Sequence, residues 1–306
     1  DLQKYGNIRS RLISNLLSEN LRFHHHNLIA KEIQKEVNSK ADGIIITHGT
    51  DTLHYTAAAL AFILEDLPIP IILVGSQRSS DRPSSDAALN LVSAARFIKE
   101  TDFAGVAICM HHSMSDDKIA ILPATKSRKL HTSRRDAFKP VNSSPIALIE
   151  DKIEFLTKNY ETKSNKELKL KPIKEDLKIG IIRSHPNTFA SELENYSSYD
   201  ALVIEGTGLG HIATEKFDSK TQENFKILNI IKSIARKIPV IMTSQCIFGR
   251  IDMHVYSTGI KLEEAGVINN NSDITTETAF IKAAWLLSNH KDDFYRLWNK
   301  NLRGEI

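Results

Sequence analysis

Cysteine is scarce in this 306-residue chain, and long hydrophobic runs are missing from it. Two cysteines, Cys109 and Cys246, do not build a disulfide scaffold and do not have zinc-site spacing, so we expect reduced thiols and no metal site. The absence of any run of about 18 apolar residues excludes a typical membrane-spanning helix. No signal-peptide pattern opens the chain, so we expect a cytoplasmic protein with no membrane partner.

A strong excess of charge of either sign is also missing. The formal net charge is +3, with 41% hydrophobic and 25% charged residues, which suits an enzyme of one large or two moderate domains. Basic residues cluster at 126–139 and 158–178, but acidic residues are interleaved in the second stretch. We interpret both clusters as solvated faces rather than as a nucleic-acid surface.

Alternating strand-like and helix-like segments predict an α/β fold with parallel strands. The predicted strands are 43–47, 69–75, 104–110, 178–183, 201–205 and 239–243, and the predicted helices are 25–38, 52–65, 84–100, 222–236 and 275–288. The stretch 157–176 is rich in Lys, Glu and Asn, and it is predicted to be an exposed hairpin or linker. It separates a larger domain, 1–156, from a smaller carboxyl-terminal α/β domain, 177–306.

The segment 43–58, GIIITHGTDTLHYTAA, predicts a buried strand that enters a polar turn and then a helix. In open α/β sheets, ligands bind in the crevice beyond the carboxyl ends of the strands. There Gly49 permits a tight turn, while Thr50 and Asp51 present a hydroxyl and a carboxylate. An alternative is that Asp51 or Thr52 simply caps the helix.

Six motifs continue along the chain in the order found in a known family. They are 47–52 (THGTDT), 74–90 (VGSQRSSDRPSSDAALN), 129–138 (KLHTSRRDAF), 204–211, 243–246 and 255–259. The first resembles the second signature motif of the L-asparaginase family, amidohydrolases with threonine nucleophiles. The second and third resemble the D subunits of the archaeal tRNA-dependent glutamyl amidotransferases, which are members of that family. The resemblance covers essentially the whole chain.

The resemblance implies an asparaginase-like fold, with a larger parallel-sheet amino-terminal domain that holds most catalytic groups and a smaller α/β carboxyl-terminal domain. It assigns Thr50 as the second catalytic hydroxyl, Asp51 as its carboxylate partner and Lys129 as the basic group. Asp51 also suits the α-ammonium group of an amino-acid substrate. By similarity Ser18 would hold the substrate α-carboxylate, although Ser18 could equally be a helix cap. Gly49 and the amides that follow it are candidate oxyanion donors.

One family feature is not found. The first family motif, Thr-Gly-Gly-Thr-Ile with the primary nucleophile, occurs nowhere in these 306 residues. Because the chain opens on Asp1 and its first residues read like the middle of a domain, we expect further residues upstream in the natural protein. The small additional amino-terminal domain of the D subunits is not found either.

The resemblance also implies partners and cofactors. We expect a homodimer that joins two partner subunits of the E type in a heterotetramer, with glutamine or asparagine as the substrate of this chain. ATP and Mg²⁺, together with most contacts to tRNA, belong by this interpretation to the partner, and this chain carries no cofactor. Two alternatives stay open, a free-standing cytoplasmic L-asparaginase and an amino-acid-binding subunit that lacks its nucleophile.

Three other motifs have ordinary explanations. Neighbouring histidines on a helix point about 100° apart, so His24, His25 and His26 are predicted to be surface residues rather than metal ligands. His111 is followed by Ser115 and Asp116, but no strained nucleophile turn accompanies them, which disfavours a serine triad. The 206–210 run, GTGLG, lacks the lysine spacing of a phosphate-binding loop.

Overall fold

The computed structural model describes residues 2–78 and 81–306, so Ser79 and Ser80 of the 74–90 motif lie outside the described residues. The chain forms two compact units, the first ending at Glu175 and the second beginning at Asp176. Each unit has its own sheet and its own buried core. No described helix is long and apolar enough to span a bilayer.

Among its described residues, the first unit contains three α-helices and eleven strands. The helices are α1 (Phe23–Asn38), α2 (Leu53–Ile63) and α3 (Ala87–Glu100). The strands are β1 (Ile44–Thr47), β2 (Leu64–Glu65), β3 (Pro70–Val74), β4 (Phe103–His111), β5 (Ile119–Pro123), β6 (Ser127–Lys129), β7 (Phe138–Pro140), β8 (Ala147–Ile149), β9 (Ile153–Phe155), β10 (Glu161–Thr162) and β11 (Lys169–Leu170). Short 3₁₀ turns span Leu2–Tyr5 and Ser18–Asn20.

The main sheet of this unit is mixed, with the order β1-β3-β4-β5-β8-β9 and β10 added on β4. The pairs β1 with β3 and β3 with β4 are parallel, whereas β4, β5, β8 and β9 are joined by antiparallel pairs. The predicted α/β fold with parallel strands is confirmed, and the antiparallel extension is an addition to it. Among the described residues β1 pairs with β3 alone, which explains why Ile44–Ile46 are half-buried and not covered on both faces.

The side chains of α2 and α3 explain how far α2 is buried and where α3 begins. Helix α2 is apolar on nearly every side and is almost wholly buried, as expected for a helix without a polar face. Helix α3 begins at Ala87, three residues later than predicted. The reason is that the Asp86 carboxylate accepts from the backbone N–H groups of Gln77 and Arg78, at 3.0 Å each, and does not cap the helix.

The stretch 157–176 lies against the first unit. Its strands β10 and β11 pair with β4 and β2, not with each other. Leu168 and Ile173 are buried. The Asn27 side chain makes two reciprocal hydrogen bonds with the backbone of Ile173, at 2.7 and 3.0 Å. The charged residues of this stretch face solvent while its few apolar residues supply the attachment.

The second unit has one parallel sheet of order β12-β13-β14-β15. Its strands are β12 (Ile179–Arg183), β13 (Ala201–Gly206), β14 (Val240–Ser244) and β15 (Val267–Ile268). Its helices are α4 (Ser191–Glu194), α5 (Gln222–Ala235), α6 (Ser257–Glu264), α7 (Thr276–Asn289) and α8 (Phe294–Trp298), with 3₁₀ turns at Asn195–Ser198 and Lys291–Asp293.

Candidate active site

Two separate elements of the first unit meet around the side chain of Lys129. The turn after β1 supplies Thr50 and Asp51, and β6 ends at Lys129. The Lys129 ammonium nitrogen Nζ lies 2.9 Å from Thr50 Oγ1 and 2.7 Å from Asp51 Oδ1. The Lys129 side chain is 12% exposed and that of Asp51 66% exposed, so the contact is open to solvent on the carboxylate side.

A hairpin fixes the position of Lys129. Strand β6 pairs antiparallel with β7, placing Lys129 opposite Phe138, and Leu130 N–H donates to the Ala137 carbonyl at 2.7 Å. Within the intervening turn, the Arg134 guanidinium makes two hydrogen bonds to the Asp136 carboxylate, at 2.9 and 2.8 Å. The 129–138 motif is therefore the complete hairpin that carries the lysine.

Ser18 also contacts this turn, through Thr52. Thr52 N–H donates to Ser18 Oγ at 3.3 Å, and the Thr52 hydroxyl donates to the Ser18 carbonyl at 2.7 Å. Thr52 directly precedes the first residue of α2, but its side chain makes no capping hydrogen bond. Neither Asp51 nor Thr52 therefore acts as the helix cap considered above, because their side chains turn to Lys129 and Ser18.

Two glycines make this close approach possible. A Cβ atom on Gly49 would lie 2.9 Å from Ser18 Cβ, and one on Gly75 would lie 2.8 Å from Thr50 Cγ2. Gly75 follows β3, the parallel neighbour of β1, and its carbonyl accepts from Asn90 Nδ2 at 3.0 Å. Any larger residue at either position would displace a group of the cluster.

Outside this cluster, His111 links the two long motifs. His111 Nδ1 lies 2.7 Å from Asn90 Oδ1, and its Nε2 lies 3.0 Å from Asp116 Oδ1. Arg135 also pairs with Asp116 and donates to the Ser84 carbonyl at 2.8 Å. The hydrogen bond to His111, aided by Arg135, holds the pKa of Asp116 below its usual range. His111 thus joins an amide and a carboxylate, not a serine.

Two buried histidines, His26 and His54, and the half-buried His48 lie around the start of α2, and none of them was predicted as a site residue. His48 Nε2 and His26 Nε2 both contact Thr56 Oγ1, at 2.9 and 3.3 Å. Burial lowers the pKa of His26 to about 3, with help from His48, and burial with nearby Arg128 and Lys129 lowers the pKa of His54 to about 3. The prediction that His26 is a surface residue was wrong, because it is 5% exposed on the inner face of α1.

The histidines at 24 and 25 and the 206–210 run make their hydrogen bonds with nearby groups of the protein. His24 is exposed and pairs with Glu175, and His25 Nδ1 accepts from Arg22 N–H at 3.1 Å. In the second unit the GTGLG run closes on itself, because Thr207 N–H donates to the His211 carbonyl at 2.8 Å. No group of three or more His, Cys, Asp or Glu side chains suited to a metal ion occurs among residues 2–78 and 81–306.

Ser18, Gly49, Thr50, Asp51 and Lys129, predicted from sequence as site residues, therefore lie in one continuous set of contacts. Gly75, Asn90, His48 and Thr56 were not predicted as site residues. A signal for Gly75 exists in the sequence, since it is a glycine directly after a fully buried strand that neighbours the Thr50 strand.

Sequence profiles of two known domains match this arrangement. "Asparaginase, N-terminal" matches residues 1–161, and "Glutaminase/Asparaginase C-terminal domain" matches residues 178–294. The chain is 43% identical over 312 residues to a Methanobrevibacter smithii protein named as the D subunit of glutamyl-tRNA(Gln) amidotransferase, covering all of this chain and 68% of that protein. The chain belongs to the family of amidotransferase D subunits, within the asparaginases.

Other members and solved structures agree with this family. The amidotransferase D subunits of Methanosarcina mazei and Pyrococcus horikoshii are 43% and 41% identical, with all of this chain covered and 70% and 68% of theirs. The thermostable L-asparaginase of Thermococcus kodakarensis superposes with a TM-score of 0.86 at 30% identity, covering 98% of this chain and 87% of that one. L-asparaginase I of Vibrio cholerae gives 0.79 at 27%, covering 95% and 83%. The asparaginase-like fold expected from the motifs is confirmed.

Proposed function

We propose that this chain is the amide-hydrolysing subunit of a glutamyl-tRNA(Gln) amidotransferase. It releases ammonia from glutamine or asparagine, and a partner subunit uses that ammonia to convert Glu-tRNA(Gln) to Gln-tRNA(Gln). The observation that carries the proposal is the placement of Lys129 Nζ between Thr50 Oγ1 and Asp51 Oδ1, at 2.9 and 2.7 Å. The relatives named as D subunits support the amidotransferase as the setting.

Each residue has a defined role in the proposal. Amide hydrolysis requires a nucleophile, a proton shuttle for the leaving ammonia, oxyanion donors and anchors for the amino-acid end of the substrate. Thr50 is the second catalytic hydroxyl: the Lys129 ammonium group donates a proton to Thr50 Oγ1, and Thr50 passes its own proton to the leaving ammonia. The family's primary threonine belongs to the first motif, which these 306 residues do not contain.

Substrate anchoring is assigned to Asp51 and Ser18. The exposed Asp51 carboxylate binds the α-ammonium group through charge and hydrogen bonding. Ser18 Oγ accepts from Thr52 N–H, so its own proton remains for the α-carboxylate of the substrate; within the described part of the chain that hydroxyl donates to no other group. Gly49 permits the approach of Ser18, and the amides after it serve as oxyanion donors.

The assembly and the cofactors are part of the same proposal. The chain forms a homodimer, joined with two E-type partner subunits in a cytoplasmic heterotetramer through which ammonia passes internally. ATP, Mg²⁺ and most of the tRNA surface belong to the partner, and this chain binds no cofactor.

The test is ammonia release by the natural full-length protein from glutamine and from asparagine, alone and with the partner, Glu-tRNA(Gln), ATP and Mg²⁺. We expect release to rise when the partner and charged tRNA are added. Strong asparagine hydrolysis without any response to them would instead identify a free-standing asparaginase, the interpretation favoured by the 30% identical Thermococcus structure. Calorimetric binding of aspartate or glutamate without turnover would identify a binding subunit.

A further inference from the structure

We infer that His48 is a positioning residue of the proposed amidase site, and that Thr56 and His26 hold it in one orientation. His48 immediately precedes the Gly49–Thr50 turn, and its Nδ1 lies 2.6 Å from the Gly49 carbonyl oxygen. Its other ring nitrogen, Nε2, lies 2.9 Å from the Thr56 hydroxyl on α2. The imidazole therefore connects the turn that bears Thr50 to the buried body of the following helix.

The direction of each hydrogen bond follows from what each atom can do. A carbonyl oxygen only accepts, so His48 Nδ1 carries the proton. Burial lowers the pKa of His48, so the ring is neutral and its Nε2 is an acceptor, to which Thr56 donates. Thr56 Oγ1 then accepts from His26 Nε2 at 3.3 Å. The chain of donors runs one way, from His26 through Thr56 and His48 to the Gly49 carbonyl.

His26, at the start of this series of hydrogen bonds, fits the same donor-to-acceptor direction. If His26 Nε2 carries the proton of a neutral ring, then His26 Nδ1 is a bare acceptor. That atom is buried and has no hydrogen-bond partner among the described residues. Burial also lowers the pKa of His26 to about 3, which keeps the ring neutral. A buried acceptor without a partner has a cost, and its presence is explained if the opposite nitrogen is needed as a donor.

The hydrogen bond from His48 to the Gly49 carbonyl also orients the N–H group of Thr50, because the two groups belong to one peptide unit. The Gly49–Thr50 peptide is trans and planar, so its N–H points away from its carbonyl group. With the carbonyl held by His48, Thr50 N–H points in the opposite direction within the same plane, away from the His48 ring, and it donates to no acceptor within residues 2–78 and 81–306. His48 thus fixes the direction of an available backbone donor and the starting position of the Thr50 side chain.

The first test reads the histidine tautomers of the full chain without measuring activity. Histidine-ring ¹⁵N NMR at pH 7 is compared for the natural protein and His48→Asn, which identifies the His48 signals by their loss. We expect a neutral His48 with the proton on Nδ1 and a neutral His26 with the proton on Nε2. A His48 ring protonated on Nε2 at pH 7 would overturn the inference, whatever the amidase activity of the chain.

The second test separates positioning from a purely structural role, through kcat and KM for ammonia release by the complete complex. His48→Leu is expected to lower kcat by about 10- to 100-fold, because a misplaced reacting group has an effect of that size, with KM changed less than about 3-fold. His48→Asn keeps an N–H near the Nδ1 position and is expected to recover most of kcat. The exposed His24→Leu is the matched control.

Thr56 provides an independent check. Thr56→Val removes the hydroxyl but keeps the side-chain shape, and it is expected to lower kcat about 10-fold, whereas Thr56→Ser restores it. Equal kcat for His48→Leu and His48→Asn would contradict the inference. So would rate losses that follow only the melting temperature of each variant. The proposed function itself fails on a different result, near-normal rates after substitution of Thr50, Asp51 and Lys129.

Discussion

Two lysine–carboxylate pairs of almost equal length occur in the two units, and they differ in what surrounds them. Lys129 Nζ lies 2.7 Å from Asp51, with 66% of the Asp51 side chain exposed. Lys282 Nζ lies 2.6 Å from Glu305, and both side chains are fully buried. The distance alone therefore does not distinguish the proposed active-site pair from the buried pair of the second unit.

The number of hydrogen bonds used by each ammonium group does distinguish the pairs. Lys282 has three N–H donors and three acceptors, Glu305 and the carbonyls of Trp298 and Lys300 at 2.7 and 2.8 Å. Lys129 donates only to Thr50 and Asp51 among the described residues, so one N–H remains for a substrate. A buried lysine whose three N–H groups are all hydrogen-bonded stabilises the fold. A lysine that keeps an unused N–H group beside an exposed carboxylate can still bind a substrate.

The largest effect is expected from breaking the buried pair. Lys282→Met leaves the Glu305 carboxylate buried and unpaired, which should lower the free energy of unfolding of the second unit by about 3–5 kcal/mol. Lys129→Met should change the stability of the first unit by less than about 1 kcal/mol, because Asp51 stays hydrated. Urea unfolding followed by tryptophan fluorescence reports the second unit, which contains both tryptophans, Trp285 and Trp298, and hydrogen exchange of peptides from α1 and α2 reports the first unit.

A smaller loss for Lys282→Met than for Lys129→Met would reverse the comparison. The double substitution Lys282→Met with Glu305→Leu serves as the control. It removes the unpaired charge and should recover part of the lost stability.

Activity should show the opposite order. Thr50→Val, Asp51→Ala and Lys129→Met are each expected to lower the amidase rate at least about 100-fold, because each removes a group assigned to the transition state. The measurement is ammonia release by the complete complex. Lys169→Met is the matched control, since Lys169 forms an exposed ion pair with Asp66 at 3.0 Å in the same unit. Near-normal rates for all three site variants would disprove the site assignment.

Two glycines, Gly75 in the first unit and Gly208 in the second, allow the same comparison of rate and stability. Gly75→Ala introduces a Cβ 2.8 Å from Thr50 Cγ2, so it should lower kcat by about 10- to 100-fold through displacement of Thr50. Gly208 of the second unit has a φ of +50° and open space around its Cα. Gly208→Ala should therefore cost about 1 kcal/mol of stability and leave the rate unchanged. Equal kcat values for the two variants would contradict this distinction.

Acid should act on the first unit through its buried histidines. The folded-state pKa of His26 is about 3, below its ordinary value of 6.5, so the unfolded chain takes up the proton first as the pH falls. Stability is fully present above about pH 6.5 and is lost progressively toward pH 3, by at most about 1.4 kcal/mol per pH unit for this residue. His26→Gln should make the loss less steep.

Hydrogen exchange of peptides from α1 and α2 at pH 7, 6, 5 and 4 measures this dependence. Protection that is independent of pH in the natural protein would show that these histidines are not buried as neutral rings. Peptides from β13 and β14 serve as the reference in the second unit.

Part of the fold was accessible from the sequence because its signals are local. Strands β1, β3, β4, β12, β13 and β14 and the five longest helices lie within three residues of their predicted bounds, since each has a continuous apolar run or a helical stripe. The antiparallel strands β5 to β9 were not predicted. Most have only three residues, too few for a periodic pattern, and their pairing depends on partners elsewhere in the chain.

The site residues likewise fall into those with a local sequence signal and those without one. Thr50 and Asp51 were recognised because they share one motif, and Lys129 because it opens another. The contacts of Ser18 with Thr52 and of His26 with Thr56 join residues 34 and 30 positions apart, which no local pattern encodes. A histidine on a partly polar helix gives no sequence signal of whether it faces solvent or the interior, which explains the wrong prediction for His26.

The attachment of Ile173 to Asn27 has a consequence for proteolysis. Residues 165–167 are exposed between β10 and β11. On the amino-terminal side β10 pairs with β4, and on the carboxyl-terminal side β11 pairs with β2 and Ile173 is bonded to Asn27. A trypsin cut after Lys166 would divide the polypeptide into two pieces without freeing either of them. The nicked protein should migrate as two bands in a denaturing gel and still elute as a single species under native conditions.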